Sequence, residues 1–361
     1  MEAVMQSFQG FCKRKDVVVS AHRYGIDAMA AMAQGLFASL LIGTIIKTLG
    51  QQVGIAFLVD AGTYAMGVAG PAMAVSIGYA LHAPQLVLFS LIAVGAAANT
   101  LGGAGGPLAV YVVAVVAAEC GKIVSKETKI DILVTPIVTV LIGIGLAYFI
   151  ASPIGKGAMA VGDVIKWATT QQPFVMGVLV SVIVGIALTL PISSAAICAA
   201  LSLTGLAGGA ALAGCCANMV GFAVVSFREN GWGGVVSQGL GTSMLQMGNI
   251  VRNPRIWIPA IAASAITGPV ATCVFKLEMN GAAVSSGMGT CGLVGPIGVW
   301  TGWANPSAEA VLDGAQAIIP TAADWLGLAL ISIVLPAILA WLFGHLCRKL
   351  GWIKDGDMKL S

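Results

Sequence analysis

The sequence predicts an all-helical polytopic membrane protein, and three observations carry that prediction. Only 9% of the 361 residues are charged while 58% are hydrophobic; apolar runs of full membrane-crossing length recur along the chain; and Lys and Arg collect at a few points between those runs. A soluble domain carries roughly 25% charged residues, and a hydrocarbon core about 30 Å thick takes roughly 20 apolar residues per helix. Eighteen bases against fifteen acids leave a net charge of +3. The bases form no continuous polar face, which excludes a nucleic-acid partner.

About eight full spans are expected: Ile26–Leu49, Val53–Ala80, Gln85–Ala98, Pro107–Val124, Ile132–Ile150, Phe174–Leu190, Ile256–Phe275 and Trp325–Leu346. Three other stretches, Ser193–Val225, Gly233–Asn249 and Ala282–Trp300, are too short or too interrupted by glycine to be ordinary spans. Broken backbone of this kind is tolerated at membrane depth only when buried in protein or lining a watery cavity.

The basic clusters set the orientation. Lys13, Arg14, Lys15 and Arg23 precede the first span; Lys122, Lys126 and Lys129 close the fourth; Arg228, Arg252 and Arg255 flank the second interrupted stretch; Arg348, Lys349, Lys354 and Lys359 end the chain. Placing all four groups in the cytoplasm satisfies the positive-inside rule and puts both termini there, in the plasma membrane. The first apolar run lacks a small-residue cleavage site and is expected to be retained rather than removed as a signal peptide. Ser193–Val225 must then enter and leave from the cytoplasm, and Ala282–Trp300 from outside. Two re-entrant hairpins of opposite entrance result, an arrangement that secondary transporters use to build a substrate site.

Pro153–Gln172 mixes Lys156, Asp163 and Lys166 with Ile154, Met159, Ile165 and Trp167 and reads as an amphipathic interfacial helix. The expected organisation is an N-terminal bundle over residues 1–152, a linker helix over 153–172, and a substrate domain over 173–361 with hairpins near 193–225 and 282–300.

Chemistry-bearing residues are few. The eight cysteines form no CxxC pair and read as buried thiols. No cluster has metal-ligand spacing, and no cofactor is expected. Gly287-Met288-Gly289-Thr290-Cys291-Gly292 fits GxGxxG, but without a βαβ unit it reads as a hairpin tip. An ionisable group within lipid is a functional candidate by default; Asp60, as a coupling or structural acid, and Glu278, at the mouth of the outer hairpin, qualify. Neutral amides and hydroxyls gather in the second half, among them Asn218, Gln246, Asn249, Asn280 and Thr290. A carboxamide both donates and accepts, which suits a hydroxyl-rich solute; the same groups could equally glue helices together.

The run Leu277-Glu278-Met279-Asn280-Gly281-Ala282-Ala283, followed by a glycine-rich hairpin, resembles the glutamate-led start of a hairpin in the membrane (IIC) component of phosphotransferase-system sugar transporters. With Gly102–Pro107, Asn218, Arg252-Asn253-Pro254 and Gly292–Ile297, the whole pattern is similar to the stand-alone IIC-like family that includes the perfringolysin-regulator-like membrane proteins. The resemblance implies an EIIC-like elevator fold, a homodimer joined through the N-terminal bundle, and sugar hydrogen-bonded by Glu278 and Asn280. The proline that often follows that glutamate is absent here. No phosphoryl-carrying IIB cysteine or histidine is recognisable, so the chain is not expected to be an enzyme by itself. Phosphotransfer would need separate cytoplasmic subunits. The leading expectation is a membrane carrier of a small polar solute; the alternatives are a ligand sensor signalling to a cytoplasmic regulatory partner, and a carrier of a non-sugar organic anion or lipid, which Met244, Met247 and Met288 would line.

Overall fold

The structure is a computed structural model that describes residues 10–360; residues 1–9, the start of the basic leading segment, and residue 361 lie outside it. Among the described residues, six helical stretches are long and apolar enough to cross a bilayer: Arg23–Val53, Gln85–Val124, Asp131–Thr169, Gly205–Val225, Pro254–Phe275 and Ala322–Lys349.

The first half follows the expected spans with two modifications. Helix α1 (Arg23–Val53) is followed by two short helices, α2 (Ala56–Gly67) and α3 (Ala69–Ala80), where one continuous span is expected. Val68 leaves helical geometry between them, with φ −101° and ψ 17°. Gln85–Val124 is a pair, α4 (Gln85–Gly102) and α5 (Gly106–Val124). The chain reverses at Gly103, whose φ of +51° and ψ of −121° suit a residue without a Cβ. Helix α6 runs unbroken from Asp131 to Thr169 through Pro136 and Pro153, so the segment expected as a separate linker begins inside a longer helix. A proline costs such a helix one backbone bond and need not end it in an apolar setting.

The chain packs as two compact units. One comprises the described residues through Leu40 with Ala65–Lys156, and the other comprises Leu41–Tyr64 with Gly157 onward. The sequence gives no hint that Leu41–Tyr64 leaves its neighbours, and packing explains it: Ile45 sits against the backbone of Gly292 in the second unit.

In the first unit a charged cluster pins the leading segment. Arg23 donates to the carboxylate of Asp16 and, at 2.7 Å, to the Leu81 carbonyl. Lys122, its side chain 1% exposed, lies 3.1 Å from the Glu119 carboxylate and donates to the carbonyls of Asp16 and Leu81 at 2.6 and 2.8 Å. A buried ammonium is tolerable only when paired and hydrogen-bonded in this way. Arg23's hydrogen bond, aided by His82 and Lys122 and opposed by partial burial, holds the Asp16 carboxyl far below the usual carboxylate range. A carboxylate with a depressed folded-state pKa stabilises fully above its unfolded value, about 3.9, and loses that contribution as pH falls through the folded value. Asp16→Asn is therefore expected to lower the melting temperature by an amount that is constant from pH 8 to about pH 5 and shrinks only in stronger acid. Thermal melts of both proteins across pH check this.

The second unit is organised about α9. After α7 (Pro173–Thr189) comes a short helix α8 (Ser194–Ala200), then α9 (Gly205–Val225), which lies almost wholly inside the protein. Gly185 packs on Gly214 and Asn218, Gly214 on Ser181, and Thr189 bonds Asn218. Residue numbers rise together, so α7 and α9 are parallel. Thr189 reaches only the level of Asn218, seven residues, or about 10 Å, short of the end of α9 at Val225. The chain then turns back through α8 to the level at which α7 began, and α9 runs its full length from there.

This corrects the expected topology. Ser193–Val225 is not one hairpin: its first third completes a turn-back begun by α7, and the rest is a continuous helix long and apolar enough to cross a membrane. The abundant Gly and Ala of Gly205–Val225, which make the stretch look interrupted, are the small surfaces that let three helices approach it closely.

Beyond α9 the chain forms a kinked helix α10 (Phe227–Val236), a π turn at Ser237–Gly241, a break at extended Thr242, a 3₁₀ turn at Ser243–Gln246 and α11 (Met247–Arg252). Gln238 bonds Ser226 at the end of α9, and Ser243 meets Thr189 at 2.7 Å, at the Asn218 level. This interrupted stretch thus runs back from the Val225 end of α9 to the level of Asn218. Helix α12 (Pro254–Phe275) returns antiparallel to α7, with Ser264 beside Ser181 and Thr272 donating to the Pro173 carbonyl at 2.8 Å.

A further turn-back starts from the Gly205 end of α9. A 3₁₀ turn at Ala283–Gly287 leads to the tip, and α13 (Val294–Ala304) comes back; Gly302 packs on Asn280 and Gly281 where the excursion began. The tip residue Gly289 touches Cys215 and Cys216, about 15 Å along α9 from Gly205. After a short helix α14 (Ala308–Leu312), α15 (Ala322–Lys349) runs parallel to α9, Gly344 against Val225.

Candidate functional site

The sequence-predicted site residues all lie in the second unit and, Asp60 apart, fall into separate hydrogen-bonded groups. Glu278 and Asn280 stand at the root of the outer turn-back. Met279 forms an antiparallel bridge to Gly205, with both backbone bonds at 2.9 Å, so its neighbours Glu278 and Asn280 are carried on extended backbone across the start of α9. Asn280 Nδ2 donates to Glu278 Oε2 at 3.0 Å. Glu278 is exposed, and among the described residues it forms no ion pair, the neighbouring Lys276 included. Asn280 is 4% exposed, and its Oδ1 is buried without a hydrogen-bond partner. A buried amide oxygen in that condition costs about 1–3 kcal/mol.

Two acids that sequence reasoning missed complete this region. Glu309 Oε2 accepts from the Ala283 backbone at 3.3 Å, and Asp313 Oδ2 accepts from Thr204 Oγ1 at 2.7 Å. The Ser307 backbone N–H donates to the Asn280 carbonyl at 2.8 Å, and the Ser307 hydroxyl accepts from the Ala310 N–H at the start of α14. The Ser307-Ala308-Glu309 start is the signal in the sequence that a capped helix, not a loose connector, presents Glu309.

Thr290 lies at the tip of the same turn-back. Its hydroxyl donates to the carbonyl of Gly239 in the π turn entering from the other side. The two broken elements therefore touch tip to tip. Ser194, at the start of α8, donates to the Gly287 carbonyl at 2.7 Å, bringing a third interrupted element to the same tip. Gly289 and Gly292 hold φ of +54° and +50° there, conformations that glycine supplies without strain.

Asn218 has no capacity left for a solute. Its Nδ2 donates to the Gly214 carbonyl and to Ser264 Oγ, both at 3.1 Å. Its Oδ1 accepts from Thr189 Oγ1 at 3.3 Å and from Trp257 Nε1 at 2.9 Å. Two donors and two lone pairs are all that a carboxamide offers. Asn218 ties α7, α9 and α12 together.

Gln246 and Asn249 engage the end of the chain. Gln246 Nε2 donates to Gln238 Oε1 at 2.8 Å and to the Met358 carbonyl at 2.9 Å; Asn249 Nδ2 donates to Gln246 Oε1 at 2.8 Å and to the Lys359 carbonyl at 2.9 Å. Asn230 and Asn253 extend the row, donating to the Met358 and Trp352 carbonyls at 2.8 and 2.9 Å. Met358 is fully buried beneath them. Asp60 stands apart, exposed on α2, with no hydrogen bond or ion pair among the described residues.

The comparisons with known proteins accord with this architecture. The family model described as "Phosphotransferase system, EIIC" matches residues 26–360, nearly the whole chain. The protein belongs to the phosphotransferase-system EIIC family. No curated protein and no solved structure matches it significantly. As an EIIC protein with multiple apolar helices it is a multi-pass membrane transport component.

Proposed function

We propose that this EIIC protein carries a small hydroxyl-rich solute, a sugar or sugar-like molecule, bound at Glu278 and Asn280. The observation that supports this most is the orphaned, buried Oδ1 of Asn280 beside an exposed carboxylate that has no ion-pair partner. A sugar hydroxyl donates to one and accepts from the neighbouring amide, and charge-assisted bonds to the carboxylate are among the stronger ones available. Thr290 shapes the tip above this root, while Asn218, Gln246 and Asn249 belong to the framework. The division into two compact units supports a scaffold and a carrier moving in an elevator, with the scaffold forming a homodimer. Separate cytoplasmic subunits supply any phosphoryl group, on the side marked by Arg228, Arg252, Arg255 and Arg348.

A thermal-shift screen of the purified protein against sugars, organic acids and lipids identifies the solute class, since a ligand that binds only the folded state raises its stability. Glu278→Gln is expected to weaken sugar binding roughly tenfold or more while leaving unliganded stability nearly unchanged, because the exposed carboxylate holds no ion pair. Equal affinity in the variant removes Glu278 from the site. Stabilisation by organic anions or lipids alone removes the sugar.

A further inference from the structure

A cavity lies at the other end of the second unit, away from Glu278. The last turns of α15 and the first turns of α10 enclose a cavity of about 330 Å³. Its floor is apolar, formed by Val224, Val225 and the backbone at Gly344. Its walls are aromatic: Trp341 stacks on His345 with centroids 5.9 Å apart, and Phe227 meets Trp232 edge-on at 5.4 Å. Trp232 and Trp341 are 75% and 58% exposed.

Two guanidiniums rim this cavity, and they differ. Arg348 is committed, donating to Glu229 at 2.8 Å, to Asp355 at 2.9 Å and to the Val225 carbonyl at 3.2 Å. Arg228 is exposed and has no hydrogen bond or ion pair among the described residues. The position matters as much as the charge: Trp341, His345 and Arg348 occupy the end of a 28-residue apolar helix, the level at which hydrocarbon gives way to headgroups and where Trp is enriched. From this juxtaposition we infer that the cavity binds an anionic phospholipid, the phosphate on Arg228 and the acyl chain along the Trp and Val surfaces. Guanidinium and phosphate match in geometry and charge, and basic pockets between helices at this depth suit acidic headgroups. A free inorganic anion would satisfy Arg228 but would leave the apolar floor and the two tryptophans uncovered.

The test uses the full chain in phosphatidylcholine nanodiscs containing increasing fractions of phosphatidylglycerol brominated on its acyl chain, read by quenching of tryptophan fluorescence and by lipid adducts in native mass spectrometry. Trp232→Phe and Trp341→Phe assign the quenched component. The expected result is saturable quenching at a low phosphatidylglycerol fraction, one retained phosphatidylglycerol adduct, and a roughly tenfold higher half-saturation fraction in Arg228→Gln. Lys349→Gln, an exposed base beside the cavity that does not line it, is expected to bind normally. The Arg228 side chain bonds nothing among the described residues, so its variant keeps the fold, which an unchanged elution profile verifies. Equal quenching by brominated phosphatidylcholine, an unaffected Arg228→Gln, or an equal loss in Lys349→Gln overturns the inference. Displacement of the adduct by inorganic phosphate alone assigns the site to a soluble anion and also overturns it.

Discussion

Replacing Gly214 by alanine is expected to leave little folded protein. A methyl group at this position would overlap the backbone carbonyl of Ser181 on α7, and neither partner can yield cheaply, because the obstacle is main chain within a helix. Overpacking of a tight core typically costs 1–3 kcal/mol and occasionally more. Gly214 lies at the upper end, because its carbonyl also accepts from Asn218, which in turn binds Ser264. Shifting α9 away from α7 would disturb the whole Thr189–Asn218–Trp257 network. The measurement is monodisperse yield and melting temperature in detergent. Gly145→Ala is the matched control: nothing lies within 4 Å of a Cβ there, and alanine favours the helix by about 1 kcal/mol.

Removing the tail after Gly351 has the second largest expected effect. It strips the carbonyl acceptors of Met358, Lys359 and Trp352 from Asn230, Gln246, Asn249 and Asn253. Each amide left unpaired and buried costs about 1–3 kcal/mol, but water reaches those that the departing tail uncovers. A net loss of a few kcal/mol follows, centred on Ser237–Arg252. Hydrogen exchange is expected to show protection falling over Gly239–Asn253 and persisting in α7 and α12. Uniform protection after truncation would mean that the amides hold their turn without the tail.

How much of this was legible in the sequence depends on which physics each residue obeys. Hydropathy obeys bilayer thermodynamics, which is local, so the membrane class is visible from composition, while the family is visible in the motif that begins at Leu277-Glu278-Met279-Asn280. The second turn-back is misplaced to Ser193–Val225 because glycine-rich helices with deep packing look like broken ones. In Gly205–Val225 the small residues serve helix contact, whereas the break at Gly241 and Thr242 lies in the shorter interrupted stretch Gly233–Asn249.

The amides show a different limit. Asn218, Gln246 and Asn249 have the chemistry of solute ligands, but a carboxamide's role is set by what lies opposite it, and their partners are between 29 and 112 residues away in sequence for Thr189, Ser264, Trp257, Met358 and Lys359. Nothing local distinguishes them from Asn280, whose oxygen lacks such a partner. The buried Glu119–Lys122 pair escaped for a related reason. An i,i+3 pair near a span end looks like part of an interfacial charge cluster until α5 is seen to bury it.

The account rests on two broken elements that enter from opposite ends of α9 and meet where Thr290 bonds Gly239. Oxidative cross-linking of a Thr290→Cys, Gly239→Cys pair, in a chain freed of its eight native cysteines and embedded in membranes, tests this most directly. The account predicts an efficient intramolecular disulfide, with residues 228 and 252 labelled from one side of the membrane and residue 278 from the other. Failure to cross-link, with residues 239 and 290 labelled from opposite compartments, would contradict it.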